Sequence, residues 1–153
     1  MEFVLKRHVA IMLTVVMVFL FIPTVSFAAD TADDVKYSIK SGGELEFDES
    51  DFNSVCKDLT GEKLNYVKFD PPSSSKGVLY YDYDGRSGEE VDDSDKYYYD
   101  DDPSIDDLTF VPKNGYTGTF TISYEGIDRD KNDFTGKVKI TVTDSGSDGD
   151  ADD

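Results

Sequence analysis

The sequence predicts an all-β fold, an antiparallel β-sandwich of about seven or eight short strands with one short inserted helix. Three observations support this prediction. Apolar residues recur mostly at every second position, which is the spacing of strands with one buried face. A single early segment has helical spacing instead, and prolines and glycines separate the strand-like runs. Two sheets packed face to face are the simplest way to bury such strands.

Residues 1–28 have the pattern of a secretory signal peptide. Two basic residues precede an apolar run, and the small residues Ser26 and Ala28 suit cleavage after Ala28. The alternative is a retained membrane anchor, but the apolar core is shorter than the roughly 20 residues that span a bilayer. The sequence therefore predicts a secreted, extracellular protein that is not embedded in the membrane after cleavage.

The chain is strongly acidic, with 33 Asp and Glu, 15 Lys and Arg, and a formal net charge of -18. This balance argues against nucleic acid and anionic membranes as partners, because both require a basic surface. A single cysteine and a single histidine exclude an intrachain disulfide and a closed zinc site. Because His8 lies in the predicted signal peptide, no Ser–His or Cys–His pair is available and no enzyme activity is predicted. Hydrolysis by carboxylates alone stays formally open.

One domain, residues 35–142, is predicted between two acidic segments. Residues 29–34 form a short acidic linker. Residues 143–153, the acidic tail, contain only Asp, Ser, Gly, Thr and Ala. Such a composition buries no apolar surface, so the tail is predicted to be disordered.

Eight strands are predicted within this domain. The clearest alternation predicts strands over 35–39, 120–124 and 138–142. Weaker patterns predict five more, over 44–47, 64–69, 78–83, 96–99 and 108–111. Prolines lie beside or between these runs, where a missing backbone donor does no harm.

The inserted helix is predicted over residues 50–61. Phe52, Val55, Cys56 and Leu59 fall on one helical face, with Ser50 as the N-cap and a glycine, residue 61, in the left-handed closing position. On this face Cys56 is expected to behave as a small buried hydrophobe.

A string in the second half resembles a known family. Residues 110–120 read FVPKNGYTGTF, Ile122-Ser123-Tyr124 follows, and residues 136–142 read GKVKITV. This resembles the closing strands of Ig-like and cadherin-like repeats in exported Gram-positive surface proteins, often associated with S-layer homology modules; residues 64–69 and 77–83 are similar more loosely. The resemblance implies an immunoglobulin/cadherin-like sandwich. It also implies a bacterial cell-surface module that is non-catalytic and acts as a structural spacer or adhesion domain, with a cell-wall or surface-protein partner.

Tyr116 lies between two glycines of this string and has two interpretations. Its ring and hydroxyl suit a tyrosine corner, in which the hydroxyl bonds the nearby backbone. An ordinary core aromatic explains the residue equally well.

Calcium is the one candidate cofactor. Residues 82–107 hold twelve acids against Arg86 and Lys96, and hard carboxylate oxygens suit calcium. The candidate ligands in this stretch are Asp82, Asp84, Asp100, Asp101 and Asp102. A second candidate begins at Asp128 and Asp130, which resemble the start of a calcium loop but lack its later glycine and glutamate. The alternatives are a solvated acidic loop and a polar hairpin turn, respectively.

Two tyrosine clusters, at 80–83 and 97–99, suggest a further ligand. Neighbouring strand residues point to opposite faces, so each cluster places at least one ring outward. Outward rings beside carboxylates suit stacking on sugars, and a calcium-dependent or cell-wall glycan-binding module is therefore the alternative function. Cross-strand packing also explains tyrosine in sheets.

Overall fold

The computed structural model describes residues 29–146; the predicted signal peptide and residues 147–153 of the acidic tail lie outside this range. The described chain is mostly β, with two sheets and one α-helix, which confirms the predicted all-β class. Within residues 29–146, no helix has the length and apolar character needed to cross a membrane.

All eight predicted strands form, and two strands of two residues each are added at positions where none was predicted. The elements are β1 (Asp30–Thr31), β2 (Val35–Lys40), β3 (Leu45–Glu46), α1 (Glu49–Thr60), β4 (Leu64–Phe69), β5 (Gly77–Tyr81), β6 (Glu89–Glu90), β7 (Tyr97–Tyr98), β8 (Leu108–Pro112), β9 (Gly118–Asp128) and β10 (Asp133–Thr143). A short 3-10 turn, Ile105–Asp107, precedes β8.

The larger sheet has the order β1–β10–β9–β4–β7, with β2 continuing the edge beside β10. The smaller sheet has the order β3–β8–β5–β6. Both β1 and β2 run parallel to β10, whereas the other pairs are antiparallel. The expectation of a wholly antiparallel sandwich is therefore corrected at this edge, because the chain enters alongside its final strand in the same direction.

The ordered fold begins earlier than Val35. Within the predicted linker 29–34, Asp30–Thr31 form β1 and Ala32 is buried. The Ala32 N–H donates to the Thr135 carbonyl at 2.8 Å, which joins this segment to β10. The segment is short and acidic, so the sequence gave no sign of this strand, which pairs with β10 through backbone hydrogen bonds.

The N-cap of the helix lies two residues earlier than predicted. Asp48 is the N-cap, and its carboxylate accepts the Ser50 N–H at 2.8 Å. Ser50, the predicted N-cap, therefore lies in the first turn. Gly61 closes the helix as predicted, with φ of 82° and its N–H donating to the Lys57 carbonyl at 2.9 Å.

A single aromatic-rich core lies between the two sheets and the helix. Phe110 of the small sheet and Phe120 of the large sheet have ring centroids 5.3 Å apart. Phe52 of α1 is fully buried, and its ring lies 5.4 Å from that of Tyr124 and 5.6 Å from that of Phe69. The helix thus covers the inner face of the large sheet, with the predicted buried positions Phe52 and Cys56 facing the core.

Two glycines on the inner face of β9 and β10 lie beneath aromatic rings. Gly126 is directly opposite Phe134, and Gly136 is directly opposite Tyr124. A Cβ atom at either glycine would overlap with the ring of its partner. These two aromatic–glycine pairs let bulky rings lie flat against the inner face of the β9–β10 hairpin.

Candidate functional site

The predicted calcium ligands Asp82 and Asp84 belong to a loop that is held by its own hydrogen bonds. The Asp84 carboxylate accepts the backbone N–H groups of Arg86 and Ser87 at 2.9 and 2.8 Å. The N–H groups of Ser87 and Arg86 hold the pKa of Asp84 below its ordinary value. Asp82 has a left-handed backbone with φ of 50°, and its N–H donates to the Asp107 carbonyl.

The three consecutive aspartates at 100–102 point to different partners. Asp100 accepts from Arg129 at 3.4 Å, and Asp102 accepts from the Tyr81 hydroxyl at 3.3 Å. Asp101 accepts the N–H of Asp102. Across residues 29–146, no group of three or more Asp, Glu, His or Cys side chains is arranged to hold a metal ion. The structure does not bring the candidate calcium ligands together.

Asp128 and Asp130 also separate. Asp128 is fully buried at the end of β9, where its two oxygens accept the backbone N–H and side-chain amide of Asn132 at 2.8 and 2.9 Å. Asp130 is exposed. This segment is the polar hairpin turn between β9 and β10, which was the alternative interpretation of the sequence.

The burial of Asp128 has a measurable consequence for stability. Burial raises the pKa of its carboxyl, but hydrogen bonds from Asn132 and Thr60 outweigh burial and hold the pKa below the ordinary value. Because the native state binds this proton less readily than the unfolded chain, the stabilisation is complete above about pH 4 and is lost as the pH falls below that value.

Replacement of Asp128 by alanine is expected to lower the free energy of unfolding by about 1–3 kcal/mol at pH 7, because two donors of Asn132 lose a buried acceptor. Urea denaturation at pH 7 and at pH 2.5 measures this loss. The difference in unfolding free energy between the variant and the parent chain should be smaller at the lower pH. Asp130→Ala, exposed and two residues away, is the matched control and should change stability by less than about 0.5 kcal/mol. Equal losses in the two variants would contradict the role of Asp128.

The tyrosine clusters are divided between the two sides of the sheets. Tyr97 is buried, whereas Tyr98 lies outward beside Tyr66, with ring centroids 5.6 Å apart. The Lys96 ammonium lies 4.6 Å from the centre of the Tyr66 ring. Cross-strand packing therefore accounts for this cluster.

Tyr116 lies at the margin of the core. Its ring is partly buried and lies 5.8 Å from that of Phe120, with the Lys76 ammonium 5.0 Å from its centre. These contacts fit an aromatic residue that closes the end of the β8–β9 region.

Cys56 is fully buried, as expected for a small hydrophobe on the inner helix face. Burial raises the pKa of its thiol. The thiol lies 3.8 Å from the Thr60 hydroxyl. A protonated, enclosed thiol is a poor nucleophile, so Cys56 is a packing residue.

The outward side of the large sheet over β2, β10 and β9 carries mainly positive charge, whereas the chain as a whole is negatively charged. This surface, the lysine face, is defined by four lysines and six hydroxyl residues on outward positions: Lys36, Lys40, Lys137, Lys139, Ser38, Thr119, Thr121, Ser123, Thr135 and Thr141. All four lysines are exposed. The hydroxyls of Thr119 and Thr141 lie 3.0 Å apart across the β9–β10 pair.

Three lysines of this face are crowded. Lys36 lies directly opposite Lys139, and Lys137 is two residues away along β10. Strands are spaced by about 4.8 Å, and like charges placed directly opposite destabilise a pair. The two salt bridges found among residues 29–146 involve other bases. None of the four lysines of the face therefore forms a salt bridge with the residues at 29–146.

Acidic side chains on these strands lie toward the other end of the face. Glu125 forms a salt bridge with Lys68 at 3.0 Å, and Asp133 is the first residue of β10. Asp33 and Asp34 line one surface pocket together with Lys36, so the end with the crowded lysines also has acidic neighbours.

Sequence reasoning missed this surface. The alternation that predicts β2 and β10 also places Lys36 and Lys40, and Lys137 and Lys139, on outward positions. Only the register of β2 with β10 brings the two sets side by side, and no local pattern specifies that pairing.

Comparison with solved structures finds partial likeness to the crystal structure of a 2,6-sialyltransferase from Vibrionaceae Photobacterium sp. JT-ISH-224 in a ternary complex with the donor product CMP and the acceptor substrate lactose. The TM-score is 0.43 at 8% sequence identity, and the alignment covers 78% of this chain but 19% of that chain. This chain therefore spans less than a quarter of the length of that enzyme. No family model and no curated protein matches the chain.

This comparison contradicts the predicted function. The secreted, non-catalytic spacer or adhesion module, with the calcium-dependent or glycan-binding module as its alternative, implied likeness to surface repeats. The solved structure described above belongs instead to an enzyme, the sialyltransferase. Because one architecture serves many functions, and the likeness is weak, the sialyltransferase's activity and ligands are not transferred to this chain.

Proposed function

We propose that the chain is an exported protein with an immunoglobulin-like domain, and that the lysine face of this domain binds an extended acidic segment of a partner protein. The signal-peptide pattern supports export. The neighbouring strands β10–β9–β4 and β3–β8–β5 support the immunoglobulin-like topology, since they follow the G–F–C and B–E–D orders of that fold.

The single observation that carries the binding proposal is the crowding of Lys36, Lys137 and Lys139. In a chain with 33 acids, their positive charges have no ion-pair partner among residues 29–146. Their mutual repulsion is relieved when a partner supplies negative charge. An unpaired like-charge cluster on a flat sheet suits an anionic ligand.

The spacing of the lysines favours an extended peptide. Lys137 and Lys139 are two residues apart on one strand, which separates them by about 6.6 Å. A peptide in extended conformation that carries acids at every second position repeats at the same distance. Threonine and serine hydroxyls between the lysines add hydrogen-bond donors for carboxylate oxygens.

The charge of the whole protein favours a short acidic segment over a long polyanion. A nucleic acid that extended past the lysine face would meet the acidic loops at 82–107, and the net charge of -18 would repel it. A peptide segment confined to the face interacts mainly with the lysines, since exposed charges beyond about 10 Å are screened at physiological ionic strength.

Titration of the mature chain, residues 29–153, with a peptide carrying aspartate at every second position tests the proposal. We expect weak, salt-sensitive binding with a dissociation constant on the order of 1 mM, because exposed ion pairs contribute only about 0.2–1 kcal/mol each. Lys36→Gln combined with Lys139→Gln should weaken binding about fivefold, measured by amide shifts in a ¹⁵N NMR titration.

The matched control replaces Lys57 and Lys113 by glutamine. Both residues are exposed and lie off the lysine face, on α1 and after β8, so the change in net charge is the same. Binding should change by less than about 1.5-fold in this variant, because distant exposed charges are screened. Equal weakening in both double variants, or no amide shifts on β2 and β10 at millimolar peptide, would overturn the proposal.

A further inference from the structure

We infer that the acidic partner segment binds as an additional β-strand along the free edge of β2, with apolar residues alternating between its acids. This inference rests on the proposed function, since it defines the partner of the same surface and the way in which that partner is held. It follows from the lengths of the sheet edges, from the direction of the backbone groups of β2 and from the side chains on its two faces.

β2 is the longest open edge in the part of the chain that the structure describes. The ends of the two sheets are formed by β1, β2, β3, β6 and β7, and each of these strands except β2 has only two residues. β2 has six residues in continuous register with β10. Short edge strands offer little backbone for pairing, whereas a strand of this length is a template for another strand.

Every second residue of β2 directs its backbone groups away from β10. The Ser41 N–H donates to the Thr143 carbonyl at 2.7 Å, and the Ile39 carbonyl accepts the Thr143 hydroxyl at 3.3 Å. The odd-numbered residues of β2 therefore face β10, because the direction of these groups alternates along a strand. The N–H and C=O groups of Lys36 and Ser38 point to the free edge instead. None of these groups has a hydrogen-bond partner among residues 29–146.

The side chains of β2 define the residues that suit an added strand. Lys36, Ser38 and Lys40 lie on the lysine face, and all three are exposed. On the opposite face, Tyr37 and Ile39 pack against the core but are only partly buried. The inward side chains of a strand beside β2 cover this apolar surface. The partner segment therefore carries acids at every second position and apolar, strand-forming residues between them.

The acids of such a strand lie beside lysines from two strands. Lys36 and Lys40 are on the edge strand itself, and Lys139 lies opposite Lys36 on β10. Strands are spaced by about 4.8 Å, so carboxylates on the added strand come within reach of all three ammonium groups. Asp33 and Asp34 share a surface pocket with Lys36 and repel acids beyond the start of β2. The acids of the partner are thus confined to the length of the strand.

A second copy of this chain does not fit the same edge. Antiparallel pairing of two β2 strands about Ser38 places Lys36 of each copy directly opposite Lys40 of the other. Like charges placed directly opposite destabilise a pair, and lysines on an edge strand hinder such self-association. The lysines of β2 therefore select a partner strand of the opposite charge.

Two methylated peptides test the inference. The parent peptide alternates aspartate with valine, and N-methyl groups are placed on its aspartates in one form and on its valines in the other. The amides of alternate residues point to the same side of an extended strand, so one form loses the donors that face β2 and the other keeps them. Antiparallel binding uses the aspartate amides, and parallel binding uses the valine amides.

We expect one methylated form to bind about tenfold more weakly than the parent peptide, and the other to lose less than about twofold. The form that loses affinity also gives the direction of the added strand. Both forms carry the same charges as the parent peptide, so charge cannot account for a difference between them. Equal affinity of the two forms would overturn the inference.

Amide exchange with water locates the pairing on the protein. In the mature chain, peptide at about four times its dissociation constant should slow exchange about fivefold at the amides of Lys36 and Ser38. The amides of Tyr37 and Ile39 face β10 and are the internal control, whose exchange is slow with and without peptide. Unchanged exchange at Lys36 and Ser38 with bound peptide would contradict strand addition.

A proline at position 38 removes one donor of the edge. The Ser38 N–H faces away from β10, so Ser38→Pro keeps the pairing within the sheet. Ser38→Ala is the matched variant, because both changes remove the hydroxyl and only proline removes the N–H. Ser38→Pro should bind the parent peptide about fivefold more weakly than Ser38→Ala, and equal binding would count against the inference. The methylated peptides keep the test independent of whether Ser38→Pro folds.

The inference and the proposed function fail in different ways. If both methylated forms bind as well as the parent peptide, and Lys36→Gln combined with Lys139→Gln weakens the binding of all three, the inference is overturned and the proposed function stands. If the parent peptide at millimolar concentration causes no amide shifts on β2 and β10, the proposed function is overturned as well.

Discussion

Replacement of Phe52 by alanine is expected to lower the free energy of unfolding by about 3–5 kcal/mol, which is a large part of the stability of a domain of this size. The ring is fully buried and contacts aromatic rings from both sides of the core, including Phe47, Phe69 and Tyr124. Its removal leaves a cavity that these rigid neighbours cannot close by small adjustments. Urea denaturation followed by tyrosine fluorescence measures the loss.

Leu59→Ala is the matched control for Phe52→Ala. Leu59 lies on the same helix, in its last turn, but is only partly buried. Its truncation removes less buried surface and should cost less than half as much as that of Phe52. A loss at Leu59 as large as that at Phe52 would show that helix formation, and not packing against the large sheet, dominates the contribution of α1.

Gly126→Ala is expected to cost about 3 kcal/mol or to prevent folding at 37 °C, because the new methyl group enters the space of a buried ring. A Cβ atom at this position would lie 2.6 and 2.7 Å from the ring carbons Cε1 and Cε2 of Phe134. Phe134 is fully buried. Thermal unfolding monitored by near-UV circular dichroism is a suitable measurement.

Two further variants isolate the steric cause. Combining Gly126→Ala with Phe134→Leu should restore part of the stability, because a smaller side chain leaves room for the methyl group. Gly61→Ala places a methyl group in open space at φ of 82° and should cost only about 1 kcal/mol of backbone strain. If the double variant is as unstable as the sum of its parts, ring overlap is not the cause.

The secondary structure followed largely from local sequence, and the exceptions have physical causes. Period-two alternation located β2, β9 and β10 most clearly, because buried and exposed residues alternate along them. The added strands at Asp30–Thr31 and Glu89–Glu90 are acidic and exposed, so backbone hydrogen bonds define them without any hydrophobic pattern. The helix start shifted to Asp48 because a second capping side chain preceded Ser50.

The candidate sites were less predictable, since they depend on which distant residues meet. The aspartates at 82–107 suggested a cation site by their number, yet Asp84 and Asp102 each satisfy a separate local partner. The lysine face, in contrast, was not suggested by the sequence but is formed by the fold. Lys36 and Lys139 are unremarkable in isolation, and the parallel pairing of β2 with β10 makes them neighbours.

That same parallel pairing affects the order in which the chain folds. Contacts between β2 and β10 join the two ends of the domain, so they require closure of a loop that contains almost all of it. Pairings of such high contact order form slowly and late, after the β9–β10 hairpin has assembled. A newly made chain therefore completes the lysine face among its last folding events, and Lys36 and Lys139 lie side by side only on molecules that have finished folding.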